Sequence, residues 1–253
     1  SRPLLPMRLL ADRSRSGAYL IMLCIATGLF GLFFFLTLFI QNVLGYSAIR
    51  AGIGYLPFAV GVVIASALAS RLVARIGPRP LILAGAAAVA GGMFWFSRLT
   101  EHASYTGQLL GPMLVTSCGL GLVFVPLSLV ALHNVAEQDS GVAASLLNTG
   151  QQVGGAIGLA VLGTIVWSTV ADTLRTTSAA IAAGHRAAPS PAQLAAHALA
   201  TGFSRGFLTA AGIALLALLI AIATIRVSRQ ELTGAMPAPH EAAPQPATVQ
   251  QQE

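Results

Sequence analysis

The chain has 253 residues, of which 55% are hydrophobic and 9% charged, with a formal net charge of +6 and a mean hydropathy of +0.77. A soluble domain carries roughly 25% charged residues to wet its surface, so this composition excludes an ordinary water-soluble fold and indicates an integral membrane protein. All the positive charge is arginine, fourteen residues with no lysine, and it flanks apolar runs instead of forming a stripe, which argues against a nucleic-acid partner.

In chain order, residues 1–17 form a lead-in carrying Arg2, Arg8, Arg13 and Arg15. Six apolar stretches follow, at about 18–41, 51–73, 80–98, 106–131, 141–169 and 203–225, each long enough to cross a hydrocarbon core. Backbone polar groups cannot go unpaired in lipid, and these runs are too long for barrel strands, so they are predicted to be helices. The expected fold is therefore all-α, a six-transmembrane-helix bundle. The long connection at 170–202 reads as an Ala-rich loop, with a short helix capped by Ser190 and opened by Pro191. After 225 the sequence has no apolar periodicity, so 226–253 is expected to be a disordered tail.

Arginine bias sets the expected orientation. Nine arginines (2, 8, 13, 15, 71, 75, 79, 226 and 229) fall on one side of the spans, and five (50, 98, 175, 186 and 205) on the other. The excess predicts that both termini are cytoplasmic.

Every carboxylate lies outside the predicted spans or at their edges, so no proton relay is visible within them. The intramembrane polar residues are neutral. Thr37 lies among a phenylalanine cluster that includes Phe33 and Phe34, Thr116 and Ser128 are in the fourth span, and Asn148, Gln151 and Gln152 are in the fifth. At about 100° per residue the three amides and Gly155 share a face, beside a four-residue repeat of Gly150, Gly154 and Gly158 that lets another helix approach closely. Two readings of the amides stand: hydrogen-bonded glue between helices, or the lining of a water-accessible cavity. Pro112 and Pro126, with Gly119 and Gly121 between them, mark the fourth span as one built to bend. Cys24 and Cys118 both fall within spans and read as small apolar filler. No metal-site spacing and no hydrolase, phosphate-loop or dinucleotide signature is present, so no catalytic residue and no cofactor is expected.

Three stretches, "RPLLPMRLLADRSRSGAYL", "ASRLVARIGPRPLILAG" and "GVAASLLNTGQQVGGAIGLAVLGTI", resemble in order the C-terminal half of a major facilitator superfamily transporter. The branch resembled is that of the fourteen-helix drug–proton antiporters. In the second stretch Arg71, Arg75, Gly77 and Arg79 match the family's cytoplasmic turn, while Ala74 stands where an acid is usual and Ser70 where the leading glycine is usual. The resemblance implies a multi-pass protein of a bacterial plasma membrane, powered by a proton gradient. It also implies a missing N-terminal half as partner and a small amphipathic substrate held at the interface of the halves. By that analogy the first and fourth spans offer Phe33, Phe34, Thr37, Thr116 and Ser128 to the cavity, supported by the amides of the fifth. The chain begins with Ser, as a fragment would. A self-standing six-span protein, either a homodimeric transporter or a non-transporting scaffold, is the alternative.

Overall fold

The computed structural model describes residues 12–133, 135, 137–183 and 190–225. These form seven α-helices: α1 Arg13–Asn42, α2 Ala48–Gly54, α3 Leu56–Ile76, α4 Pro78–Phe96, α5 Leu110–Leu132, α6 Ser140–Ala182 and α7 Pro191–Thr224, with no strand among the described residues. Six helical stretches are long and apolar enough to cross a membrane, with α2 and α3 acting together as one. The molecule is a multi-pass, all-α membrane protein.

Local chemistry sets the helix ends. Asp12 caps α1 by accepting the Arg15 N–H at 2.9 Å. Gly77, the single residue between α3 and α4, has φ +83°, a conformation that favours glycine, and Pro78 opens α4 directly behind it. The second span, expected as one helix, is broken at Tyr55. Pro57 has no N–H to donate back to Ile53, and at the break the Tyr105 hydroxyl donates to the Gly54 carbonyl at 2.6 Å. Before α5, Tyr105–Leu109 forms a π-helical turn.

The largest departure is at 170–202. The expected loop is mostly helix: α6 runs on to Ala182, and α7 begins at Pro191 and continues without interruption into the last span. Ser190 and Gln193 cap α7 reciprocally, at 3.3 Å and 3.0 Å. With 43 residues α6 is about 64 Å long, twice the roughly 30 Å hydrocarbon core. Both helices therefore extend past the membrane on the side away from Asp12 and Ile225. Residues 226–253 and most of the lead-in lie outside the described residues.

Packing follows an internal symmetry. α1 packs on α6 and α7, α5 packs on α3 and α4, and α4 and α7 pack on each other. Exchanging the first three spans for the last three returns these contacts, although α6 and α7 also pack on each other and α3 and α4 barely do. A repeat of three spans is odd, so the two repeats are inverted with respect to the membrane. At one face the Ser14 hydroxyl donates to the Thr224 carbonyl at 3.1 Å and the Arg15 guanidinium to the His133 carbonyl at 2.9 Å, bringing the start of α1 and the ends of α5 and α7 together. At the opposite face the Ser204 hydroxyl donates to the Ser97 carbonyl, and His197 Nδ1 lies 3.2 Å from Glu101 Oε1. The Glu101 carboxyl is held below its ordinary range by its own backbone N–H and then by His197.

Small residues carry the close contacts. A Cβ on Gly85 would lie 2.6 Å from the Gly119 carbonyl oxygen, and one on Gly121 2.5 Å from the Ala65 Cβ. The glycines of α5, expected to let it bend, are filled by α3 and α4.

Candidate functional site

α3 and α6 leave the most surface open. The second span buries 28% of its apolar stretch and α6 33%, against 67% for α1. The exposed side of α6 is where the sequence places the amides.

The two faces of α6 differ in what they touch. Gly150, Gly154 and Gly158 follow Tyr19, Leu23 and Thr27 of α1, each a further four residues along. The backbones come so close that the Thr27 hydroxyl, 2.8 Å from its own helix's Leu23 carbonyl, also lies 3.0 Å from the Gly154 carbonyl. Gly155 belongs to this packed side and not to the amide stripe: it is buried, and a Cβ there would meet the Phe30 ring at 2.8 Å.

Asn148 and Gln152 are exposed and Gln151 is half-buried. None of the three side chains forms a hydrogen bond with the described residues. The polar contact between α1 and α6 is made by Thr27 and a glycine carbonyl, so within this bundle the amides are not its glue.

Asn148, Gln152 and Leu159 lie on one line of the helix, and Leu159 closes a groove against α1. This open cavity of about 380 Å³ is lined by Phe30, Phe33, Phe34, Thr37, Leu38 and Leu159. Phe33 is 38% exposed and Phe34 48%. Phe33 packs tilted against Tyr55 at 5.4 Å and meets Phe58 edge-on at 5.1 Å. The Thr37 hydroxyl lies 2.6 Å from the Phe33 carbonyl and 3.0 Å from the Tyr55 hydroxyl. Sequence reasoning missed Leu38, Tyr55, Phe58 and Leu159, while Phe30 belongs to the phenylalanine cluster of the first span. Tyr55 was open to discovery, since it stands two residues before a proline inside a span, where a helix is disposed to break.

Thr116 and Ser128 do not join this groove. Thr116 is fully buried against Gly92 of α4, and its hydroxyl has no partner. Thr116→Val is therefore expected to leave folded yield and transport unchanged and to raise stability by about 1 kcal/mol, because it removes an unsatisfied buried hydroxyl. Thermal unfolding of the purified protein checks this, and a lower unfolding temperature would show that the hydroxyl contributes a bond. Ser128 is half-buried and donates to the Phe124 carbonyl of its own helix at 2.9 Å.

Arg71, Arg75 and Arg79 are exposed around the α3–α4 turn and form no ion pair with the described residues. Cys24 is buried, Cys118 is exposed, and both are free. No cluster suited to a metal occurs among the described residues.

Comparisons with known proteins agree with this arrangement. The family profile described as "Major Facilitator Superfamily" matches residues 1–159. The chain is 39% identical over 166 residues to the puromycin resistance protein of Streptomyces alboniger, covering 64% of this chain and 33% of that protein. It is 42% identical over 167 residues to the cephamycin export protein of Amycolatopsis lactamdurans, covering 66% and 34%. A multidrug resistance protein of Mycobacterium tuberculosis is 33% identical over 174 residues, covering 69% and 32%. The matched part of the chain thus spans about a third of the length of these relatives. An inverted-repeat six-span bundle, a profile match over most of the chain and these relatives lead to one assignment: the chain belongs to the major facilitator superfamily.

Proposed function

We propose that the chain is the C-terminal half of a proton-coupled efflux transporter of the fourteen-helix antiporter branch, in a bacterial plasma membrane, exporting amphipathic organic compounds. The observation that carries this reading is the line of unpartnered amides on α6 leading to an aromatic groove. A carboxamide facing hydrocarbon leaves donors and acceptors unmet at a cost of several kcal/mol. The stripe therefore faces water, a polar substrate group or a second protein surface. Its aromatic continuation, with Thr37 and Tyr55 as polar handles, suits a ligand with an apolar body and a few polar groups. The names of the relatives, which concern puromycin resistance, cephamycin export and multidrug resistance, support export of such compounds.

In this reading the exposed faces of α3 and α6 meet the N-terminal half, which also supplies the coupling acid. Arg71, Arg75 and Arg79 pair with acids of that half on the cytoplasmic side and favour one access state.

The test is dye accumulation in efflux-deficient cells producing the full-length protein. Lower accumulation than in cells without it, restored by a protonophore, is the expected result. Equal accumulation with and without the protein across a broad panel would rule out efflux, and insensitivity to the protonophore would rule out proton coupling.

A further inference from the structure

A second cavity, of about 500 Å³, opens between α6 and α7 near the membrane face away from Asp12 and Ile225. It is lined at its inner end by Leu208, then by Ile165 and Arg205, then by Thr169 and Thr201, and further out by Asp172 and Thr176. Helix packing fixes this order. Gly202 seats against Val166 and Val170 while the chain ascends in α6 and descends in α7. Arg205 thus lies inward of Asp172, by roughly 10 Å at the backbone given 1.5 Å per residue. A long arginine side chain reaches outward from such a position towards the interface.

Arg205 is exposed and forms no ion pair with the described residues. Asp172 is bonded only loosely to Arg175, 3.8 Å away, and both side chains are largely in solvent, so that pair is readily exchanged. The threonines add direction. Thr169, Thr173, Thr176 and Thr201 each donate their hydroxyl proton to a carbonyl of their own helix. What they still offer to the groove is acceptor capacity. Below Arg205 the open face of α7 continues as Leu208, Leu215, Leu216 and Leu219, all exposed.

From outside inward the groove therefore presents a carboxylate among acceptor oxygens, then a guanidinium, then an apolar lane. A phospholipid with a primary amine has the complementary order of ammonium, phosphate and acyl chain. An arginine matches a phosphate bidentately, and an ammonium with three protons matches a carboxylate and hydroxyl oxygens. We propose that the α6–α7 groove is a binding site for an amine-bearing phospholipid, with Arg205 on the phosphate and Asp172 on the ammonium. This site is separate from the aromatic groove and does not depend on efflux.

Native mass spectrometry of the delipidated full-length protein tests the proposal. The protein is offered equal amounts of phosphatidylethanolamine, phosphatidylcholine and phosphatidylglycerol with matched chains. The wild type is expected to retain phosphatidylethanolamine about tenfold over phosphatidylcholine, whose nitrogen carries no proton. Asp172→Asn should remove that preference while lipid retention persists, and Arg205→Gln should remove one bound phosphatidylethanolamine molecule. Both residues are exposed, so both variants keep the fold. Soluble phosphoethanolamine at the same concentration should not displace the lipid, because it lacks the chains that fill the apolar lane. Equal retention of the three lipids, variants indistinguishable from wild type, or displacement by the soluble headgroup would each overturn the assignment. None of these outcomes bears on dye export.

Discussion

Gly158→Leu is expected to remove nearly all folded protein from the membrane. A Cβ at this position would sit 2.9 Å from both the Cα and the carbonyl carbon of Thr27, and closer still to the carbonyl oxygen. Those atoms are backbone, so no rotamer change relieves the contact. α1 and α6 must separate, and with them go the hydrogen bond from Thr27 to Gly154 and the packing of both helices on α7. Overpacking a well-filled core costs about 1–3 kcal/mol, and a clash between backbones belongs at or above the top of that range. Gly154→Leu should behave alike, since its Cβ would lie 3.1 Å from the Leu23 carbonyl carbon and from the Ala26 Cβ. Gly212→Ala is the control: nothing lies within 4 Å of a Cβ there, and yield should not fall. Fluorescence-detected size-exclusion chromatography of tagged full-length protein reads all three.

The second large effect is on transport and leaves folding intact. Gln152→Leu should preserve folded yield, because Gln152 is exposed and bonds to nothing in the described chain. Export of a dye should fall about tenfold or more, the loss that follows when one hydrogen bond to a substrate or to cavity water, worth about 1.5 kcal/mol, is removed. Equal loss of folded protein from Gln152→Leu and Gly158→Leu would show that the amide is structural glue.

The glycine ridge of α6 was legible because a four-residue repeat of the smallest residue has one strong physical meaning in a membrane helix. Its edge was not. By angle Gly155 falls among the amides, between Asn148 and Gln151, and only the placement of Phe30 decides that it packs. Thr116 shows the same limit: a hydroxyl on a helix has no readable direction until the neighbouring helices are in place, and Gly92 made room for it on the packed side. At 170–202 the error was of another kind. The reading sought hydrophobicity, and an Ala-rich segment is not strongly apolar, yet alanine is the best intrinsic helix former. Helix propensity would have extended α6 to Ala182 and joined the helix opened at the Ser190 cap to the last span. Tyr55 and Phe58 were invisible as partners of Phe33 because that contact joins two spans across a proline break.

The central claim is that the amide line of α6 faces a water-filled substrate path. Thiol accessibility tests it most directly. In protein with Cys24, Cys118 and any other cysteines replaced, Gln152→Cys is exposed to a small water-soluble maleimide in membranes, with and without a dye. Rapid labelling that the dye suppresses is the expected result. A position 152 thiol that reacts only after the membrane is dissolved would contradict it, placing the amide line against lipid or sealed protein.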